Sequence, residues 1–118
     1  METLGRARLF FLVFLSVLCF YACTSAPGTL YSYGNYENKT YAYLQGESPA
    51  AQISVLQDDL LKIEKAGRKV PPGYYAHLGM LYAEVGERGL AISCFMVEKA
   101  RFPEAAVFMD YLLERYKL

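Results

Sequence analysis

Two stripes of large apolar residues, repeated at helical spacing and cut apart by glycine and proline, constrain this chain more than any other feature. Ile53, Leu56, Leu60 and Ile63 recur at i, i+3, i+7 and i+10, and Tyr75, Leu78, Tyr82 and Val85 repeat the same pattern. That period puts each set on one face of an amphipathic helix. The first helix has a favourable start in Ser48-Pro49, a serine cap with proline at the first helical position, and a stop at Gly67. Gln52, Asp58, Asp59, Lys62 and Glu64 point mostly away from its apolar stripe. Val70-Pro71-Pro72-Gly73 breaks the chain before the second helix, in which the small Gly79 permits close approach of a neighbour; Gly86 ends it. A third helix is expected from about Glu87 to Ala100, with Leu90, Ala91, Cys94, Phe95 and Val97 inward. Phe102-Pro103 forces a new start, because proline disfavours helix at the residue before it. The fourth helix, Pro103 to about Tyr116, offers Ala105, Phe108, Met109, Leu112 and Tyr116.

Ahead of these helices the chain is of a different character. Leu9 to Phe20 is an uncharged run of twelve residues preceded by Arg6 and Arg8. A bilayer span needs about 20 apolar residues and a secretory leader about 7–15, so the run reads as a leader. It is followed by Phe20-Tyr21-Ala22-Cys23-Thr24-Ser25. A small residue directly before a cysteine at the end of such a run resembles the lipobox of bacterial lipoprotein precursors. That resemblance implies cleavage after Ala22, with Cys23 becoming the acylated first residue. Phe20 and Tyr21 depart from the family's preferred residues. Thr24, where an aspartate would signal retention, implies the outer membrane, at its periplasmic face. The alternatives are an uncleaved signal anchor or ordinary cleavage near Ala22.

Cleavage also settles the cysteines: Cys19 leaves with the leader, Cys23 carries lipid and Cys94 remains alone, set among Ala91, Ile92, Phe95 and Met96 as a buried, inert thiol. The full chain carries twelve basic and twelve acidic residues; without Glu2, Arg6 and Arg8 it has 10 − 11 = −1. This balance argues against nucleic acid as a partner, since phosphate binding needs a basic stripe. An apolar content of 54% argues against disorder.

The chain thus divides into a leader (1–22), a short tether (23–29), a tyrosine-rich segment (30–47) and an all-α domain of about four antiparallel helices (48–118). Five of the eleven tyrosines fall between Leu30 and Leu44. Tyr31 and Tyr33 alternate with Ser32, which favours an extended or turn segment through Gly34; Tyr36, Lys39/Thr40 and Tyr43 then share one side of a short helix. These rings either complete a small core or present a stacking surface to a sugar or a protein.

The run Tyr75, Leu78, Gly79, Tyr82, Gly86, Ala91, Phe95 and Pro103 resembles the thirty-four-residue tetratricopeptide repeat, with Tyr75 where that repeat has tryptophan. Its small residues let two antiparallel helices close on each other. Glu98 departs from the pattern, standing where the repeat carries a small residue that faces the next helix. A lone repeat cannot bury its face alone, so the helices at 48–66 and 103–116 must flank it. At finer grain, the segments 30–37, 71–82 and 98–104 resemble a family of short bacterial lipoproteins known as a domain of unknown function. Members of that family look like companions of two other lipoproteins, one of the curli-pore type. The resemblance implies an outer-membrane secretion or envelope assembly and assigns no reaction.

No nucleophile elbow, phosphate loop or paired-cysteine spacing is present in the sequence, and neither a catalytic nor a metal site is expected. His77 is the only histidine; a Cys/His pairing with Cys94 lacks an orienting third group, so a packed or half-exposed ring is the simpler expectation. Glu98, placed between helices, must be paired or hydrogen-bonded: to tyrosine hydroxyls of 31–43, to a backbone N–H, to Arg101, or to a partner's basic group. The expected activity is that of a non-enzymatic adaptor, with Cys23 lipidated, no cofactor beyond that lipid, and Tyr31, Tyr33, Tyr36, Tyr74, His77 and Glu98 as candidates for contact with envelope lipoproteins. The competing readings are a pilotin-like chaperone for a pore subunit and a glycan- or peptidoglycan-binding module using Tyr31, Tyr33 and Tyr36.

Overall fold

The computed structural model describes residues 2–21 and 28–116, with side chains for 4–15 and 28–116. Cys23 and most of the 23–29 tether lie outside the described residues. The described chain is all-helical, with six α-helices: α1 (Glu2–Tyr21), α2 (Tyr36–Leu44), α3 (Pro49–Lys65), α4 (Tyr74–Glu84), α5 (Arg88–Arg101) and α6 (Ala106–Tyr116), the last preceded by a 3-10 turn (Pro103–Ala105). No strand occurs among the described residues; the one extended feature is a parallel bridge between Tyr31 and Lys69. Every side chain of residues 4–15 in α1 is exposed, and the core is built from residues within 36–116. No described helix is long and apolar enough to cross a membrane.

The helices of the body run up and down. Tyr82 meets Gln57 and Tyr75 reaches Glu64, so α3 and α4 are antiparallel. Glu98 lies at the start of α4 and Phe95 beside Gly79, which makes α4 and α5 antiparallel too; they form the most extensive pairing. Lys99 pairs with Asp110 and Phe95 stacks on Tyr116, turning α6 back along α5. The close approach expected at Gly79 is present: a Cβ there would stand 2.6 Å from Phe95 Cε1 and 3.1 Å from the Cys94 Cβ.

Helix α4 sits between α3 and α5, and α2 lies over it. It is therefore buried almost all round, as a central helix must be. Tyr74, His77 and Leu81 are enclosed along with the expected Tyr75, Leu78 and Tyr82, while Val85, expected inward, is 41% exposed at the helix end. Leu90 and Phe108 are likewise exposed, and Leu113 is buried in their stead. Both exposed residues lie in the first turn of their helices, where the facing helix no longer covers them.

The stripe of α3 is also wider than its apolar residues suggest. Gln52 and Asp59, expected to point elsewhere, are buried beside Ile53, Leu56 and Ile63, and Leu60 is only half-buried. The tyrosine-rich segment explains the difference, because α2 packs on that side of α3. Ser48 stands at the cap position of α3, but its side chain makes no capping bond. Pro49 opens the helix with a preset φ and no N–H to satisfy.

Candidate functional site

Two turns place α2, and a buried carboxylate fixes the first. Asp59 Oδ2 accepts the Asn35 backbone N–H at 2.7 Å and its side-chain amide at 2.9 Å. Gly34, at φ +52°, lies so close that a Cβ would stand 2.8 Å from the same oxygen. From this clamp α2 runs with Tyr36, Lys39, Thr40 and Tyr43 on its half-buried side and Tyr41 exposed, as the spacing predicts. Tyr36 stacks on Tyr74 with centroids 5.2 Å apart, and Tyr43 bonds to Glu84. Tyr31, half-buried, turns edge-on to Phe102 at 6.4 Å; Tyr33 remains exposed.

The second turn is Pro71-Pro72-Gly73 before α4. Gly73 has φ +88°, and a Cβ there would lie 2.7 Å from the Tyr36 hydroxyl, so only glycine lets α2 close over this point. Glu98, 1% exposed, reaches the same turn from α5. Its Oε1 accepts the Gly73 N–H at 2.6 Å, and its Oε2 accepts those of Tyr75 and Ala76 at 3.2 and 3.3 Å. The carboxylate therefore satisfies the open donors at the start of α4 and sits at the positive end of its dipole. Of the bonds expected for Glu98, the backbone N–H is the one formed. Arg101 instead stacks over the Tyr75 ring at 4.8 Å.

Between this corner and the 3-10 turn lies a cleft of about 370 Å³. Ala76, Met80, Phe102, Ala105, Phe108 and Met109 give it an apolar wall, Tyr36, His77 and Glu98 line its inner side, and Glu104 stands at its rim. His77 is 8% exposed, held edge-on by Tyr36 at 6.0 Å and Tyr43 at 5.5 Å, and its Nε2 has no hydrogen-bond partner among the described residues. A buried polar atom left unpaired costs about 1–3 kcal/mol. Burial pushes the imidazole pKa below its ordinary value, against a smaller upward pull from Glu84, so near neutral pH the ring is uncharged. Burial likewise raises the hydroxyls of Tyr36 and Tyr74, keeping both protonated; Tyr74 donates to the Leu56 carbonyl at 2.9 Å.

Of the residues singled out in the sequence, Tyr36, Tyr74, His77 and Glu98 are thus brought to one corner. Tyr31 lies beyond Phe102, and Tyr33 joins neither group. Cys94 lines a separate cavity with Tyr75 and Tyr82, so it forms no pair with His77, and burial raises its thiol to about 11. Among the described residues no three His, Cys, Asp or Glu side chains are grouped so as to hold a metal. Phe108 and Met109, whose spacing predicts core positions, complete the cleft.

The architecture defines a small all-helical domain with an apolar cleft lined in part by a neutral histidine. Residues 30–112 match the family model described as Domain of unknown function (DUF4810), and the chain belongs to that family. Comparison with curated proteins and with solved structures gives no match.

Proposed function

We propose that this protein is a lipid-anchored, non-enzymatic adaptor of an outer-membrane secretion or envelope assembly, and that its cleft receives an apolar segment of a partner lipoprotein. The observation that carries the reading is an apolar cleft lined by His77, whose buried Nε2 has no hydrogen-bond partner among the described residues. Such an atom is satisfied when a partner brings its own polar group, and the walls around it suit an aliphatic or aromatic side chain. Phe108, 55% exposed at the lip and stacked on exposed Tyr111, extends the surface outward beside Val107.

The α4–α5 pair, closing through Gly79 and Phe95, supports the tetratricopeptide-like reading, in which helical pairs present surfaces to peptides. The partner class follows from the resemblance to lipoproteins that accompany curli-pore-type lipoproteins. The anchor rests on the lipobox-like Ala22-Cys23 and on the exposed leader helix. Tyr36 is stacked on Tyr74 and Tyr31 packs edge-on with Phe102, which suits core packing better than a sugar platform.

Two measurements test the proposal. A Cys23→Ala variant is expected to lose metabolic palmitate label and leave the membrane fraction; retained label overturns the anchor. A photoreactive residue at position 108 is expected to crosslink an envelope lipoprotein in living cells, while one at Leu61, in the lining of the separate Cys94 cavity, does not. Equal crosslinking from both positions overturns the cleft as the docking site.

A further inference from the structure

A second cleft, of about 330 Å³, opens where the chain enters the body, lined by Tyr31, Arg68, Lys69, Val70, Arg101 and Phe102. Half of its lining is cationic and none is acidic, in a mature chain whose net charge is −1. Glu64, 4.0 Å from the Arg101 guanidinium, is the nearest ion-pair partner that any of the three cations has, and Lys69 has none among the described residues.

The cleft also holds the end of the tether. Arg68 Nη2 donates to the Thr29 carbonyl at 3.3 Å and to its hydroxyl at 3.0 Å. The Ser32 N–H donates to the Lys69 carbonyl at 2.9 Å. Six peptide steps separate Thr29 from Cys23, at most about 20 Å of chain. Between the tether and the cleft, Leu30 stands 64% exposed. An acyl chain on Cys23 therefore keeps three cations and an exposed leucine within a short reach of the bilayer surface, the pairing of charge and apolar side chain that suits an interface.

We propose that this cleft seats the phosphate of an anionic phospholipid headgroup, so that the body rests on the membrane along its tether edge instead of swinging freely from the lipid. The proposal rests on the lipid-anchored reading above. Guanidinium groups match phosphate oxygens in bidentate geometry, and a cation near an anionic surface adds about 1 kcal/mol, equivalent to about fivefold in binding. Phe102 lines this cleft and the histidine cleft alike, so a seated body holds its partner groove close to the bilayer.

The test uses the chain from Thr24 onward, which retains every core residue and carries no acyl chain, with helical content checked by circular dichroism. It is expected to sediment with vesicles of equal parts phosphatidylglycerol and phosphatidylcholine and not with phosphatidylcholine alone. Lys69→Gln and Arg101→Gln are each expected to weaken that binding about fivefold, and Arg115→Gln, on α6, to leave it unchanged. Absence of a preference for the anionic vesicles overturns the proposal, as does equal weakening by Arg115→Gln. Inorganic phosphate is the third arm: its binding without vesicle preference assigns the cleft to a solute and overturns the membrane seat. Since no acyl chain is present, failure here leaves the anchor standing, and palmitate labelling of Cys23 tests that separately.

Discussion

Glu98 and Asp59 use their charges in the same way, accepting backbone N–H where a helix begins: Glu98 takes three at α4, Asp59 one at α2. Replacing Glu98 by alanine leaves three N–H groups without their acceptor and removes the charge from the dipole end, a loss of about 2–4 kcal/mol. A thermal midpoint lowered by roughly 8–32 °C is therefore expected, since about 1 kcal/mol moves a domain of this size by roughly 4–8 °C; an unchanged midpoint contradicts the capping role. Glu98 was legible in the sequence because it departs from the tetratricopeptide pattern that the surrounding residues resemble. Asp59 was not, because Asp58 and Asp59 look alike until the Gly34–Asn35 turn is folded against one of them. His77 yields a pH prediction. Its folded pKa lies below the unfolded value near 6.5, so the unfolded chain binds the proton more readily. The stability of the neutral ring is complete above that unfolded value and is lost as pH falls through the folded one. Between about pH 7 and pH 5 the melting temperature is expected to fall, and to fall less in His77→Leu. Parallel curves for the two proteins would falsify this.

At the scale of elements, what the sequence pattern revealed was the existence of α3 to α6, and what it hid was their sidedness. A period of 3.6 selects one face, which serves a helix packed on one side; α4 is packed on three, so Tyr74, His77 and Leu81 are enclosed off the stripe. Conversely, Val85, Leu90 and Phe108 keep the spacing yet stay exposed at helix ends. Gly79 is where pattern and packing agree. Alanine there gains about 1 kcal/mol of helix propensity but drives a Cβ to 2.6 Å from the Phe95 ring, and overpacking of this sort costs about 1–3 kcal/mol. Gly79→Ala is expected to be net destabilising by about 1 kcal/mol. Combining it with Phe95→Leu should cost less than the sum of the two single changes, because the leucine vacates the space that the methyl group needs. Additive losses in that double-mutant cycle would mean that the two residues do not share a contact.

Across the whole molecule the division of labour is between α1, whose described side chains 4–15 are all exposed, and a tyrosine-rich segment that packs on the core. The chain from Thr24 onward is therefore expected to melt where the full chain does, whereas one beginning at Glu47 is not. The shorter chain loses the Tyr36 ring stacked on Tyr74 at 5.2 Å, a contact worth about 0.5–1.5 kcal/mol beyond its buried area. It also loses Tyr43 from beside His77 and strips Asp59 of its two bonds to Asn35. For a body this small, with little apolar area to spare, those losses together should produce a broad transition and binding of a hydrophobic dye. The same truncation opens His77 to water, which moves its pKa back toward the ordinary value and removes the pH dependence expected of the intact domain. A truncated chain that melts sharply with an unaltered pH profile would place α2 outside the folding unit, and its tyrosines would then be free to serve a partner.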